Sequence, residues 1–182
     1  MKGSEGVRQS GKVALGGVLG ALSLVCMLLT IFPYATYALP ALAGAVLIPI
    51  VVEMGVKWSF LVYASVALLS LIIAPEKEAA LLFAAFFGYY PTLKAVLERR
   101  KSRIAEWVIK LAVFNATMVA AYLLLLFVFN LDPESFELFG VNLPLVFLAF
   151  GNMVFVIYDF ALTNVISLYV QRLHPRFSRM FK

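Results

Sequence analysis

Six long apolar runs, each close to the length of a bilayer crossing, take up most of this chain and leave little of it for anything else. They cover about 13–32, 37–52, 58–74, 79–97, 107–129 and 143–170. A helix crosses the hydrocarbon layer in about 20 apolar residues. That layer offers the backbone no hydrogen-bond partners, so such runs fold as helices or as closed barrels. Barrel strands would show alternating polarity over roughly ten residues, a period these runs lack. The reading is an all-α fold: an integral membrane bundle of six transmembrane helices. A short N-terminal segment, 1–12, precedes the membrane domain at 13–170, and a basic tail follows at 171–182.

Composition agrees. The chain of 182 residues is 63% hydrophobic and 14% charged, against roughly half and a quarter in soluble domains. A water-soluble core cannot absorb that much apolar surface. The polar start with Lys2, Arg8 and Lys12 resembles the flank of a signal peptide, but the run behind it is too long for such a segment. The triplet Ala41-Leu42-Ala43 lies inside the second run, so no cleavage is expected there.

Orientation follows from the basic residues, because lysine and arginine in short loops resist translocation. With the N-terminus inside, Lys2, Arg8, Lys12, Lys57, Lys94, Arg99, Arg100, Lys101, Arg103, Lys110, Arg172, Arg176, Arg179 and Lys182 fall on or near the cytoplasmic side. Of the 15 basic residues only Lys77 falls outside. The expected topology is therefore N-in and C-in, in the cell membrane. Glu76, Glu78, Asp132, Glu134 and Glu137 make the outer face acidic. The tail mixes Arg172, Arg176 and Arg179 with Phe177 and Phe181, which suits contact with anionic membrane lipids.

Several function classes drop out. His174, the only histidine, lies in the tail, so histidine dyads, triads and two-histidine zinc sites are excluded. Cys26 stands alone in an apolar run, where packing is its expected role. No phosphate loop, metal motif or nucleophile elbow is present, and the basic clusters lack the spacing of a nucleic-acid module. The expectation is a chain that is not an enzyme, holds no cofactor or metal and binds no nucleic acid.

Polar residues inside the runs are the candidate site. A carboxylate in the membrane is costly and faces a partner or a cavity, which singles out Asp159. Asn152 and Thr163 share its helical face. Tyr89, Tyr90 and Asn115 lie near its depth, and a tyrosine or asparagine there can donate to it. Such a layer acts either as packing glue or as a ligand or proton site. The stretch Gly88-Tyr89-Tyr90-Pro91 predicts a kink, since proline frees a carbonyl one turn earlier. Lys94 is expected to extend to the cytoplasmic interface. Gly16 with Gly20, and Gly17 with Ala21, form small-xxx-small pairs that admit a second helix.

Six short-looped helices, N-in and C-in, with small residues on the inner half of the first, resemble the S components of energy-coupling factor transporters. Ala14 to Ala21 stands where that family carries its small-residue motif. The resemblance covers most of the chain and rests on architecture. It implies a membrane-embedded subunit that binds a small-molecule substrate, a vitamin or similar micronutrient, for uptake. It also implies a transmembrane coupling subunit and cytoplasmic ATPases as partners, with Gly16, Gly17, Gly20 and Ala21 as the docking face. Substrate would sit near the outer face, on Tyr34, Tyr37 and Asn152, with Tyr90, Asn115 and Asp159 as deeper candidates. Asp159 is deeper than such a pocket requires. A more distant resemblance is to MreD-type scaffolds of cell-envelope machinery, which would make Asp159 an interhelical lock.

Overall fold

The computed structural model describes residues 2–32, 35–99, 102–129, 137–138 and 141–173. Tyr34, Asp132, Glu134 and tail residues 174–182 lie outside them.

The described residues are almost wholly helical. In chain order they form α1 (Lys2–Leu28), α2 (Ala38–Val46), α3 (Ile48–Met54), α4 (Val56–Ile73), α5 (Lys77–Leu82), α6 (Tyr90–Leu97), α7 (Arg103–Phe129) and α8 (Leu143–Leu168). Glu137 and Leu138 pair antiparallel with Val141 and Asn142 ahead of α8, a contact of two residues on each side. Five helical segments are long and apolar enough to cross a membrane: Gln9–Ile31, Val56–Ile73, Lys77–Leu97, Arg103–Leu124 and Leu145–Arg172.

The second apolar run differs from the others. Ala38–Met54 is shorter and breaks at Leu47 into α2 and α3, with Pro49 in the first turn of α3. Proline has no N–H to return to the preceding turn, so the helix restarts there. Side-chain contacts at both ends fix the run of this segment. At its start Tyr37 donates to Glu78 at the head of α5, 2.9 Å away. At its end Glu53 accepts from Tyr169, beyond α8, at 3.0 Å. The turn into α4 is made at Gly55, whose φ of 84° is open to glycine and strained for other residues.

The bundle holds two apolar clusters. One packs Met27, Ala43, Leu47, Ile50, Val66 and Phe83 between α1, α2, α3 and α4 and the residues after α5, and Cys26 is buried in it. The other packs Ile48, Phe86, Tyr90, Phe114, Phe155 and Leu162 where α3, α6, α7 and α8 meet. The outer surface is apolar as well: Ile72 is 73% and Phe127 85% exposed. Water would penalise such a surface, whereas lipid would not. Apolar crossings with an apolar exterior make this a multi-pass membrane protein.

The helical run Lys77–Leu97 is interrupted where the sequence predicts a kink. Between α5 and α6, Phe83–Phe87 forms a wider π turn, closed by a bond from Gly88 N–H to Phe83 O at 2.9 Å. Two neighbours fit against the freed backbone. Tyr63 donates to Ala84 O at 2.5 Å. Gly44 of α2 lies so close to the Phe87 carbonyl that an added Cβ would stand 2.2 Å from its oxygen. Phe87 is the residue four before Pro91, so its carbonyl is the one that proline leaves without an amide partner.

Candidate functional site: a buried charge cluster

The break turns α6 so that Tyr90 and Lys94 both face α8. Tyr90 donates its hydroxyl to Asp159 Oδ1 at 2.5 Å, and Lys94 Nζ donates to the same oxygen at 2.7 Å. Lys110 Nζ, from α7, stands 3.1 Å from it. One carboxylate oxygen thus draws three elements together.

The lysines are shared further. Lys94 pairs with Glu98 at 2.5 Å. Lys110 pairs with Glu106 at 2.6 Å and with Glu98 at 3.2 Å, and its ammonium lies 5.3 Å from the Trp107 ring centroid. Two ammonium groups therefore meet three carboxylates. Both lysines are buried, Lys94 at 0% and Lys110 at 1% exposure, and Asp159 is at 3%. Glu98, with its side chain 38% exposed, is the group through which the cluster reaches the surface.

Burying ions is costly unless they are paired and hydrogen-bonded, and here they are. Among the described residues no buried side-chain nitrogen or oxygen lacks a hydrogen-bond partner. The expected reach of Lys94 to the interface is corrected by this arrangement. A lysine extends its ammonium to water when no carboxylate is nearer, and Asp159 and Glu98 are nearer.

Asn115 does not join Asp159. It forms a closed pair with Asn152, donating at 2.8 Å and receiving at 2.9 Å. Each amide spends its other N–H on the carbonyl four residues earlier, Leu111 for Asn115 and Leu148 for Asn152. The pair ties α7 to α8 and uses all four amide hydrogens. Thr163 bonds the backbone carbonyl of Asp159 rather than its side chain. Tyr89 turns away from Asp159 and packs edge-on to Tyr63 and Phe86. Tyr37 is remote from the cluster, held by Glu78.

The small residues of α1 divide into two groups. Gly16 and Gly20 face α4, where a Cβ would stand 3.3 and 3.1 Å from Val62. Gly17 has nothing within 4 Å of the same position, and Ala21 is exposed. Together they line an open groove of about 480 Å³ between α1 and α4, flanked by Lys12, Trp58, Leu61 and Leu69.

Asp159 and Tyr90 are expected together from the sequence, whereas Lys94, Lys110, Glu98 and Glu106 are not expected there as members of one site. A signal for them exists. Lys94 with Glu98 and Glu106 with Lys110 are opposite charges four apart, a spacing that places each pair on one helical face. Neither a protein-family model, nor a curated protein, nor a solved structure matches this chain.

Proposed function

We propose that the protein is the membrane-embedded substrate-binding subunit of a small-molecule uptake transporter, with no catalysis of its own and energised by separate ATPase subunits. The observation that carries this reading is the open groove on α1, lined by Gly16, Gly17, Gly20 and Ala21. A groove of small residues inside the membrane lets another helix approach closely, and the occupant we assign is a helix of a transmembrane coupling subunit.

In this reading the chain crosses the cell membrane six times, N-in and C-in, with Ala38–Met54 as the short crossing. Two arguments support that count. Tyr37 and Glu53, at the two ends of the segment, bond to the head of α5 and the end of α8. The positive-inside rule also needs the crossing. Without it Arg99, Arg100, Lys101 and Arg103 would lie opposite the basic N-terminus.

A direct test is Gly17→Leu, which fills the groove from a position where an added Cβ has nothing within 4 Å. The variant should fold, and it should lose co-purification with an ATPase pair and its coupling subunit by at least about tenfold, the equivalent of roughly 1.4 kcal/mol. Undiminished recovery of those subunits would refute the docking face.

A second reading, a scaffold of cell-envelope machinery, is favoured by one specific observation. Asn115, Asn152 and Asp159, three of the polar groups offered for a ligand, are already bonded to protein neighbours. A scaffold would co-purify with envelope proteins and carry no small molecule.

A further inference from the structure

The charge cluster and the helix break lie on one segment, and their placement gives that segment three attachments. The backbone is released from regular α-helical bonding before α6, at Phe83–Phe87, and again in its first turn, at Pro91. After the break α6 is only a short helix, Tyr90–Leu97. It is tied to α4 by the neutral Ser59–Thr92 contact of 2.7 Å, to α8 by Tyr90 and Lys94 on Asp159, and at its C-terminal end to α7 by Glu98 on Lys110 at 3.2 Å.

Each lysine has a second carboxylate that does not depend on Asp159. Lys94 keeps Glu98 on its own segment, and Lys110 keeps Glu106 on α7. If α6 moves away from α8, neither lysine is left as an unpaired buried charge. That is the ordinary obstacle to opening a buried ion pair, and here it is removed in advance. Asp159 gives up Tyr90 and Lys94 but keeps Lys110, Lys110 gives up Glu98, and Glu98 marks where the cluster reaches the surface. Breaks of this kind in a helix are where bundles bend.

We propose that α6 is a hinged segment, latched shut by the contact of Tyr90 and Lys94 with Asp159, which swings at the Phe83–Pro91 break to open the Glu98 end of the bundle. The device stands apart from the transporter reading and would serve a scaffold equally.

The test is a distance measurement on the full chain in lipid nanodiscs, with Cys26→Ser removing the native thiol. One spin-label pair, at Val96→Cys and Leu168→Cys, reports α6 against α8. A reference pair, at Leu22→Cys and Leu69→Cys, reports α1 against α4. All four positions are exposed in the native fold. Asp159→Asn, which keeps the shape and removes the charge, should raise the population of a longer Val96–Leu168 distance by on the order of tenfold, with the reference pair unchanged. Asp159→Glu should restore much of the short population. An unchanged Val96–Leu168 distribution in Asp159→Asn would overturn the latch. So would equal broadening of both pairs, or loss of folded protein, since either would make the cluster a support of the whole fold.

Discussion

Lys94 of α6 and Asp159 of α8 meet at 2.7 Å, the lysine side chain fully buried and the aspartate almost so. This pairing across two crossings organises the polar interior. In a membrane each charge alone would be costly, and this pair joins two groups that are further held by Glu98 on one side and by Tyr90 and Lys110 on the other. Lys94→Met should therefore lower the unfolding midpoint in detergent, at a cost of about 3 kcal/mol. The double variant Lys94→Met with Asp159→Leu should recover more than half of that loss, because it leaves Lys110 with Glu98 and Glu106. A double variant no more stable than the single would show that the pair is not coupled.

The Asn115–Asn152 pair predicts a different pattern. Its bonds are neutral, and interhelical hydrogen bonds in membranes are worth about 0.6 to 2 kcal/mol. Asn115→Ala should cost about 1 to 2 kcal/mol, and Asn152→Ala a similar amount. The double variant should cost clearly less than the sum. Additive losses in thermal unfolding would argue against a direct pair.

Gly44 and Gly17 make a controlled comparison. Gly44→Ala drives a methyl group into the Phe87 carbonyl, 2.2 Å from its oxygen, a backbone group that cannot rotate aside. A loss of about 3 kcal/mol or more is expected, at the upper end for overpacking. Gly17→Ala meets nothing and should leave the unfolding midpoint unchanged. Equal stability of the two variants would mean that α2 does not pack against the helix break.

Topology is testable without a ligand. Reporter fusions at the N-terminus, after Lys57, after Arg103 and at the C-terminus should all report the cytoplasmic side, and a fusion after Lys77 the opposite side. A cytoplasmic N-terminus with an exported Lys57 fusion would show that Ala38–Met54 does not cross.

The helical, membrane-embedded character of the chain was legible because it depends on sums over long windows: continuous apolar runs and too few charges for a soluble surface. The break before α6 was legible too, since Pro91 acts on its own backbone. Less of the site could be read. Asp159 stood out as a charge in an apolar run, and its depth was enough to suggest Tyr90. Lys94 and Lys110 were hidden by their positions near the ends of runs, where lysines ordinarily reach water. Depth also placed Asn115 level with Asp159. Depth does not give rotation about the helix axis, and rotation sends Asn115 to Asn152 instead. The break of Ala38–Met54 at Leu47 comes with Pro49, which hydropathy alone counts as one more residue in an apolar run.

The transporter reading stands or falls on what accompanies the protein out of the membrane. Native mass spectrometry of gently extracted material, under conditions that preserve complexes, should find the chain bound to a transmembrane subunit and two ATPases. A fraction should carry a mass increment from one small molecule. Recovery of the chain with envelope proteins, with no ATPase and no bound small molecule, would contradict it.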